Sequence, residues 1–349
     1  MDEQRTRPAG IKEIARQLGI SIGTVDRALH NRSGVSADTR ARVLAMAEQL
    51  DYQPNLAARN LKLNRGLRIA VHLPEQIASF FDPLRAGVRA AMAALPHIKL
   101  DVEFRSYARL GEGDVALLEQ DLERGFDGIL LAPGMPAALE GVLHRFAAQN
   151  TAVMCVASDA PGSERTASIT VDAATSGALA AELLGKLIRT EAAVAILTGN
   201  LNTFDHGEKL RGFSAMLQSA APHLKLLPVI ETHERTEEAY QAARALLQGP
   251  RPPAGLYVST ANSLPVLRAV EESGLLGKME IIATDLFAEL VPYLEAGHVT
   301  ATIYQRPFTQ GKVALETLVR YLAEGVQPES CTRLAPHIIL RSNLHLFLP

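Results

Sequence analysis

From Leu67 onward, short runs of apolar, β-type residues alternate with amphipathic helical stretches, and few folds satisfy that pattern. The runs LRIAVHL, LDVEF, DGILLAP, AVMCVA, AVAILTG, AGLYVS, MEIIATD and VTATIY are short and largely uninterrupted by polar residues. Such runs read as parallel strands covered on both faces. Between them, 83–95, 112–124, 136–149, 174–189, 206–220, 236–248 and 308–324 carry apolar residues at helical spacing. Strand–helix alternation of this kind predicts a doubly wound α/β architecture. Residues 67–349 are enough for two such lobes.

The first 65 residues differ. They hold 11 Lys/Arg against 7 Asp/Glu, a net +4 inside a chain whose total is −3. A basic head on an acidic body points to a polyanion met by the head alone. Ile11, Ile14, Ala15 and Leu18 lie on one face of a short helix, and Gly19 follows where a helix end accepts positive φ. Ser21 can cap a second helix, with Val25, Ala28 and Leu29 turned to a core, and Ser36 a third over 37–50. Two short helices joined by a glycine-containing turn, braced by a third, make a helix-turn-helix head. The second helix then enters the major groove. Its early positions are Ser21, Ile22, Gly23, Thr24 and Arg27. Ile22 either meets a thymine methyl or belongs to the core, and Arg27 can reach a base edge or a phosphate. Ser36, Thr39 and Arg40, at the start of the third helix, can hold phosphate. Pro54 opens a further short segment with Ala57, Ala58 and Leu61 on one face, too short to be stable unless docked.

No run of 18 apolar residues occurs, and MDEQRTRPAG lacks the apolar stretch of a secretory signal, so no membrane partner and a cytoplasmic location are expected. Two cysteines, Cys155 and Cys331, are no disulfide framework. Gly111, Gly113 and Ala116 match G-x-G-x-x-A. The preceding SYARL does not read as a strand, however, and the next strand ends without an acid, so the match reads as accidental. His72, His144 and His206 lack metal-ligand spacing. The chain reads as a binding protein needing no metal or cofactor, and not as an enzyme.

The runs IARQLGIS, TVDRALHNR, VSADTRARV and YQPNLAARNL, in that order, resemble the head and hinge of the lactose-repressor/galactose-repressor family of transcription regulators. The resemblance extends over nearly the whole chain. It implies a helix-turn-helix head (1–52), a hinge (53–66) that inserts Asn55, Ala58 and Leu61 into the minor groove with Leu61 as the wedge, and an effector-binding domain (67–349). It also implies a homodimer on a near-palindromic DNA operator. A tetramer is the alternative, disfavoured because no heptad tail is seen. The body is similar to periplasmic sugar-binding proteins of the ribose and inositol type. The resemblance implies lobes of about 67–172 with 301–328, and 173–300 with 329–349. The loops after the strands are then the ligand site: SFFDPLRAG brings Phe80 and Phe81, VASD brings Asp159, ATD brings Asp285 and TIYQRP brings Gln305. His206 and Asn262 fall in equivalent loops. In HGEKLRGF, Gly207 stands where sugar binders often carry arginine, which removes a positive charge. The asparagine after AGLYV is also missing, leaving Ser259 or Asn262 to replace it. The implied effector is a small sugar or cyclitol. A non-sugar metabolite is the alternative, and a transport-type solute-binding protein a remoter one.

Overall fold

The computed structural model describes residues 10–29, 34–50, 52 and 66–348. In the head, α1 (Ile11–Leu18), α2 (Ile22–Leu29) and α3 (Ala37–Gln49) enclose a small core of Ile14, Ala15, Val25, Ala28 and Val43. Gly19 ends α1 at φ 64°. Ser21 accepts the Thr24 N–H at 3.1 Å and Ser36 that of Thr39 at 3.2 Å, so both helices start on a hydroxyl.

The sensor holds two sheets. The N-lobe sheet runs β12 (Cys331–Leu334), β5 (Ala167–Val171), β4 (Ala152–Val156), β3 (Gly128–Leu131), β1 (Leu67–Pro74) and β2 (Leu100–Tyr107), parallel throughout. The C-lobe sheet runs β13 (His337–Ile339), β11 (Ala301–Tyr304), β10 (Glu280–Thr284), β9 (Gly255–Val258), β6 (Ala192–Thr198) and β7 (Leu224–Leu226). In that sheet β8 (Ile230–Glu231) also pairs with β6, and β13 is antiparallel to β11. Helices cover both sheets. The pair α7 (Ala173–Leu187) and α8 (Phe204–Ala220) packs so closely that a Cβ on Gly177 would sit 1.9 Å from the Lys209 carbonyl oxygen. Glycine is therefore required there by contact and not by conformation.

The chain passes between lobes after Val171, after Tyr304 and after Leu334. The second and third crossings lie later than the expected 300 and 328. The reason is that Ala301–Tyr304 pairs with β10 and Cys331–Leu334 with β5, so each strand is completed before the chain crosses. The sequence pattern does not signal the strands Ala167–Val171, Leu224–Leu226, Ile230–Glu231, Cys331–Leu334 and His337–Ile339 or the helices Leu264–Glu272 and Val291–Glu295. Strand β2 also extends through Ser106 and Tyr107, further than SYARL suggests. The glycines that follow it serve packing: Gly111 and Gly113 take φ of 78° and 99°, and a Cβ on Gly134 would lie 1.8 Å from the Gly111 nitrogen. Among the described residues, no helix is long and apolar enough to cross a membrane.

Candidate functional site

Strained backbone marks one region. Among the described residues, seven non-glycine residues have positive φ. All but Asn150 lie in loops bordering the cleft between the sheets: Ile77, Ala157, His233, Glu234, Asp285 and Arg306. Left-handed backbone is costly for side chains with a Cβ, most of all for β-branched Ile77, so its clustering at the strand ends marks a functional cleft.

An inner chamber of about 410 Å³, counting space open to solvent, lies there. Its N-lobe side is mainly apolar. Ile77, Phe80 and Phe81 come from the start of α4 (Ala78–Ala94), Leu110 from the loop after β2, and Ala157 and Ser158 from the loop after β4. The Phe80 and Phe81 rings meet edge to face with centroids 4.9 Å apart.

Its C-lobe side is polar. Asp205, His206 and Lys209 lie on the first turns of α8. The Lys209 ammonium, 1% exposed, donates to Asp205 Oδ2 at 3.0 Å and to the Ser259 carbonyl at 3.1 Å. Burial alone would depress the Lys209 pKa, but Asp205, Tyr257 and Asp285 outweigh it and the pKa rises. Burial would likewise raise the Asp205 pKa, and His206 and Lys209 reverse that, so it falls. The pair is charged. His206 Nδ1 lies 3.0 Å from the Asn200 nitrogen and 3.2 Å from the Asn200 carbonyl oxygen, and Nε2 lies 3.4 Å from Glu234 Oε1. Glu234 accepts the Thr260 hydroxyl at 2.6 and 2.8 Å. Gly199 makes this approach possible: a Cβ there would lie 2.1 Å from Glu234 Oε1 and 2.3 Å from His206 Cε1.

Gln305 closes the chamber at the second crossing. Its backbone N–H and its Nε2 donate to the Asp285 carboxylate at 2.8 and 2.6 Å. Burial pushes the Asp285 carboxyl up to about 6, against the lowering effect of those two hydrogen bonds. Gln310, fully buried on α12 (Pro307–Glu324), donates to the Gln305 carbonyl at 2.7 Å and accepts the Ala157 N–H at 3.1 Å. It ties the crossing to the N-lobe.

Of the anticipated ligand residues, the structure brings Phe80, Phe81, His206 and Gln305 to one chamber. Asp285 lies behind Gln305 and orients it. Asn262 is off the wall, its N–H donating to Thr260 Oγ1 at 3.2 Å, while Thr260 and Ala261 line the chamber. Asp159 is the clear correction. It is paired with Arg165, Nη2 to Oδ2 2.8 Å, and lines a different hollow with Cys331 and Arg333. The charge thought lost at Gly207 is also present, supplied by Lys209. Asp205, Lys209 and Glu234 were missed. The i,i+4 spacing of Asp205 and Lys209 was the one available signal, since it places both on one helix face.

On the head, Ser21, Ile22, Gly23 and Arg27 are exposed, with Ile22 at 50% accessibility, which removes it from the core. Thr24 joins Ser21, Oγ to Oγ1 2.8 Å, and accepts from Arg27 at the long distance of 3.5 Å. Gly23 has negative φ and nothing nearer than 3.9 Å to an added Cβ, so its lack of a side chain meets no packing need. Ser36 donates to Thr39 Oγ1 at 2.8 Å, and Arg40 on the same turn is half-buried and partnered. Asn55, Ala58 and Leu61 lie outside the described residues.

A two-lobed solute-binding fold with a cleft site, preceded by a helix-turn-helix, defines the class: a DNA-binding regulator with a small-molecule sensor. Comparison with known proteins agrees. Residues 69–325 match the family described as periplasmic binding protein domain, and residues 10–55 match the bacterial regulatory proteins of the lacI family. The Catabolite control protein A of Priestia megaterium is 23% identical, over 94% of this chain and 97% of its own. The Ribose operon repressor of Haemophilus influenzae is 26% identical, over 97% and 99%. A glucose-galactose binding protein from Geobacillus stearothermophilus shares the sensor fold with TM-score 0.74 at 24% identity, over 80% of this chain and 99% of that one. The Caulobacter myo-inositol binding protein does so with TM-score 0.72 at 21%, over 80% and 95%. The chain belongs to the lacI family of bacterial regulatory proteins, ligand-responsive DNA-binding transcription regulators whose sensor is a periplasmic-binding-protein domain. The full-length relatives named here are regulators, not enzymes.

Proposed function

We propose that the protein is a cytoplasmic repressor that binds a near-palindromic operator as a homodimer and is switched by a neutral sugar or cyclitol held between its lobes. One observation carries the effector class: the Phe80–Phe81 wall and the polar groups of Asp205, His206, Lys209, Glu234 and Gln305 line one chamber. Rings cover C–H faces, and fixed donors and acceptors pair with hydroxyls. Two carboxylates against one ammonium disfavour an anionic ligand. The ribose repressor among the relatives and the inositol-binding neighbour have names consistent with this class.

On DNA, Ser21, Ile22, Thr24 and Arg27 are assigned to the major groove, and Ser36, Thr39 and Arg40 to phosphates. The hinge residues Asn55, Ala58 and Leu61 are assigned to the minor groove, Leu61 as the wedge that bends the duplex. Lobe closure on the effector changes the equilibrium between protomer arrangements that do and do not let paired hinges engage the operator.

The test is a thermal-shift screen against pentoses, hexoses, inositols, polyols and their phosphates, followed by operator gel shifts with each hit. A ligand at 100 times its Kd adds about 2.7 kcal/mol to native stability. We expect a neutral sugar or cyclitol to raise Tm and change operator affinity. A Tm rise with a non-sugar metabolite alone transfers the site to that chemistry.

A further inference from the structure

The cleft has a second space beyond the inner chamber. It spans about 830 Å³, counting space open to solvent, and shares two wall residues with the inner chamber, Leu110 and Glu234. The two spaces therefore adjoin at one residue from each lobe. Both are held by unusual backbone. Glu234 and its neighbour His233 are consecutive left-handed residues, φ 56° and 48°. Leu110 precedes Gly111, whose loop lies against Gly134 with no room for a Cβ. Chain strain of this kind persists only where the surrounding structure enforces it, and it clusters at ligand sites.

The outer space is built like a recognition site. Met135 and Leu110 give it apolar surface, Asn200 and Thr203 stand on the C-lobe side, and Arg235 bridges Glu112 of the N-lobe and Glu238 of its own helix, each at 2.9 Å. Three carboxylates, Glu112, Glu234 and Glu238, outnumber the Arg235 guanidinium and the His233 ring, whose Nδ1 lies 2.9 Å from Glu238 Oε2. A phosphate or carboxylate would be repelled there. A hydroxylated neutral ring would find acceptors at the carboxylates and apolar contact at Met135 and Leu110.

We infer that the natural effector is a neutral two-unit glycoside, with one ring in the inner chamber and the second in this outer space. The inference rests on the sugar-sensing reading above and extends it to ligand size. The experiment is calorimetric titration of the full-length protein with maltose, cellobiose, melibiose, lactose and sucrose. Glucose, galactose, fructose, ribose and myo-inositol are titrated beside them. At least one disaccharide should bind ten-fold or more tightly than its component monosaccharides. Met135→Trp, which fills the outer space, should erase that advantage while leaving monosaccharide affinity within about two-fold. Glu238→Trp, on the exposed opposite wall, serves the same purpose if Met135→Trp does not fold. Monosaccharide or inositol binding equal to or tighter than every disaccharide overturns this inference and leaves the sugar reading standing. Undiminished disaccharide affinity in the filled variant also overturns it. Binding of nothing in either set overturns both.

Discussion

On the N-lobe side of the inner chamber, Ile77, Phe80, Phe81 and Leu110 form a mostly apolar wall fixed by helix packing, with both phenyl rings nearly buried. On the C-lobe side, Asp205, His206, Lys209 and Glu234 form a polar wall whose members hold one another through ion pairs and hydrogen bonds before any ligand arrives. The first wall supplies area without direction and the second supplies direction without much area. A polyol held as proposed above would need both walls at once, so its binding would favour closure of the lobes. Closure is the motion that a DNA-binding head can be coupled to.

The comparison breaks most visibly at the Asp205–Lys209 pair. Lys209→Met should destabilise the sensor by about 3–5 kcal/mol, because it leaves the Asp205 carboxylate buried without its cation. Lys209→Met combined with Asp205→Leu should recover most of that stability and none of the ligand affinity. Urea unfolding and calorimetry of the two variants separate these effects. A loss below about 1 kcal/mol in the single variant would mean that the polar wall is not pre-assembled by this pair.

A smaller effect is expected at Asp285, which acts from behind the wall. Its folded-state pKa, about 6, lies above the ordinary 3.8, so the fold favours the protonated form. Its contribution to stability therefore declines as pH rises from about 4 through 6 and is level above that. Asp285→Asn should remove this slope, making the variant more stable than the wild type at pH 8 by up to about 3 kcal/mol and no more stable at pH 4. Ligand affinity should fall, because Gln305 loses its charged anchor. Parallel stability curves for both proteins between pH 4 and 8 would contradict the assignment.

How far these walls could be read from sequence follows from the range of the interactions that make them. Helix starts at Ser21 and Ser36 were legible because a hydroxyl and an N–H three residues on suffice. The strand–helix alternation was legible for the same local reason, and the family resemblance then pointed to Gln305 after β11 and to Phe80 and Phe81 at the start of α4. Lys209 was not found because an i,i+4 acid–base pair looks the same on a surface as in an interior, and only the packing of α7 on α8 and the sheet buries it. Asp159 was misplaced because its partner, Arg165, is selected by the path of a loop. Glu234 carries no periodic signal at all, since its position depends on two left-handed residues in succession.

The smallest effect is expected at the mouth, where Glu112 and Arg235 join the lobes at 2.9 Å while each side chain remains about half exposed. An ion pair in that setting is screened by water and salt, unlike the interior pair of the same chemistry. Glu112→Gln should weaken binding of a monosaccharide hit from the thermal-shift screen by no more than about five-fold at low salt. At 0.5 M salt the two proteins should bind alike, because the Debye length is then only about 4 Å. Calorimetry at both salt concentrations measures this. A loss greater than ten-fold that survives high salt would place a controlling contact at the rim. Closure would then be governed from the mouth and not by the contrast between the two inner walls.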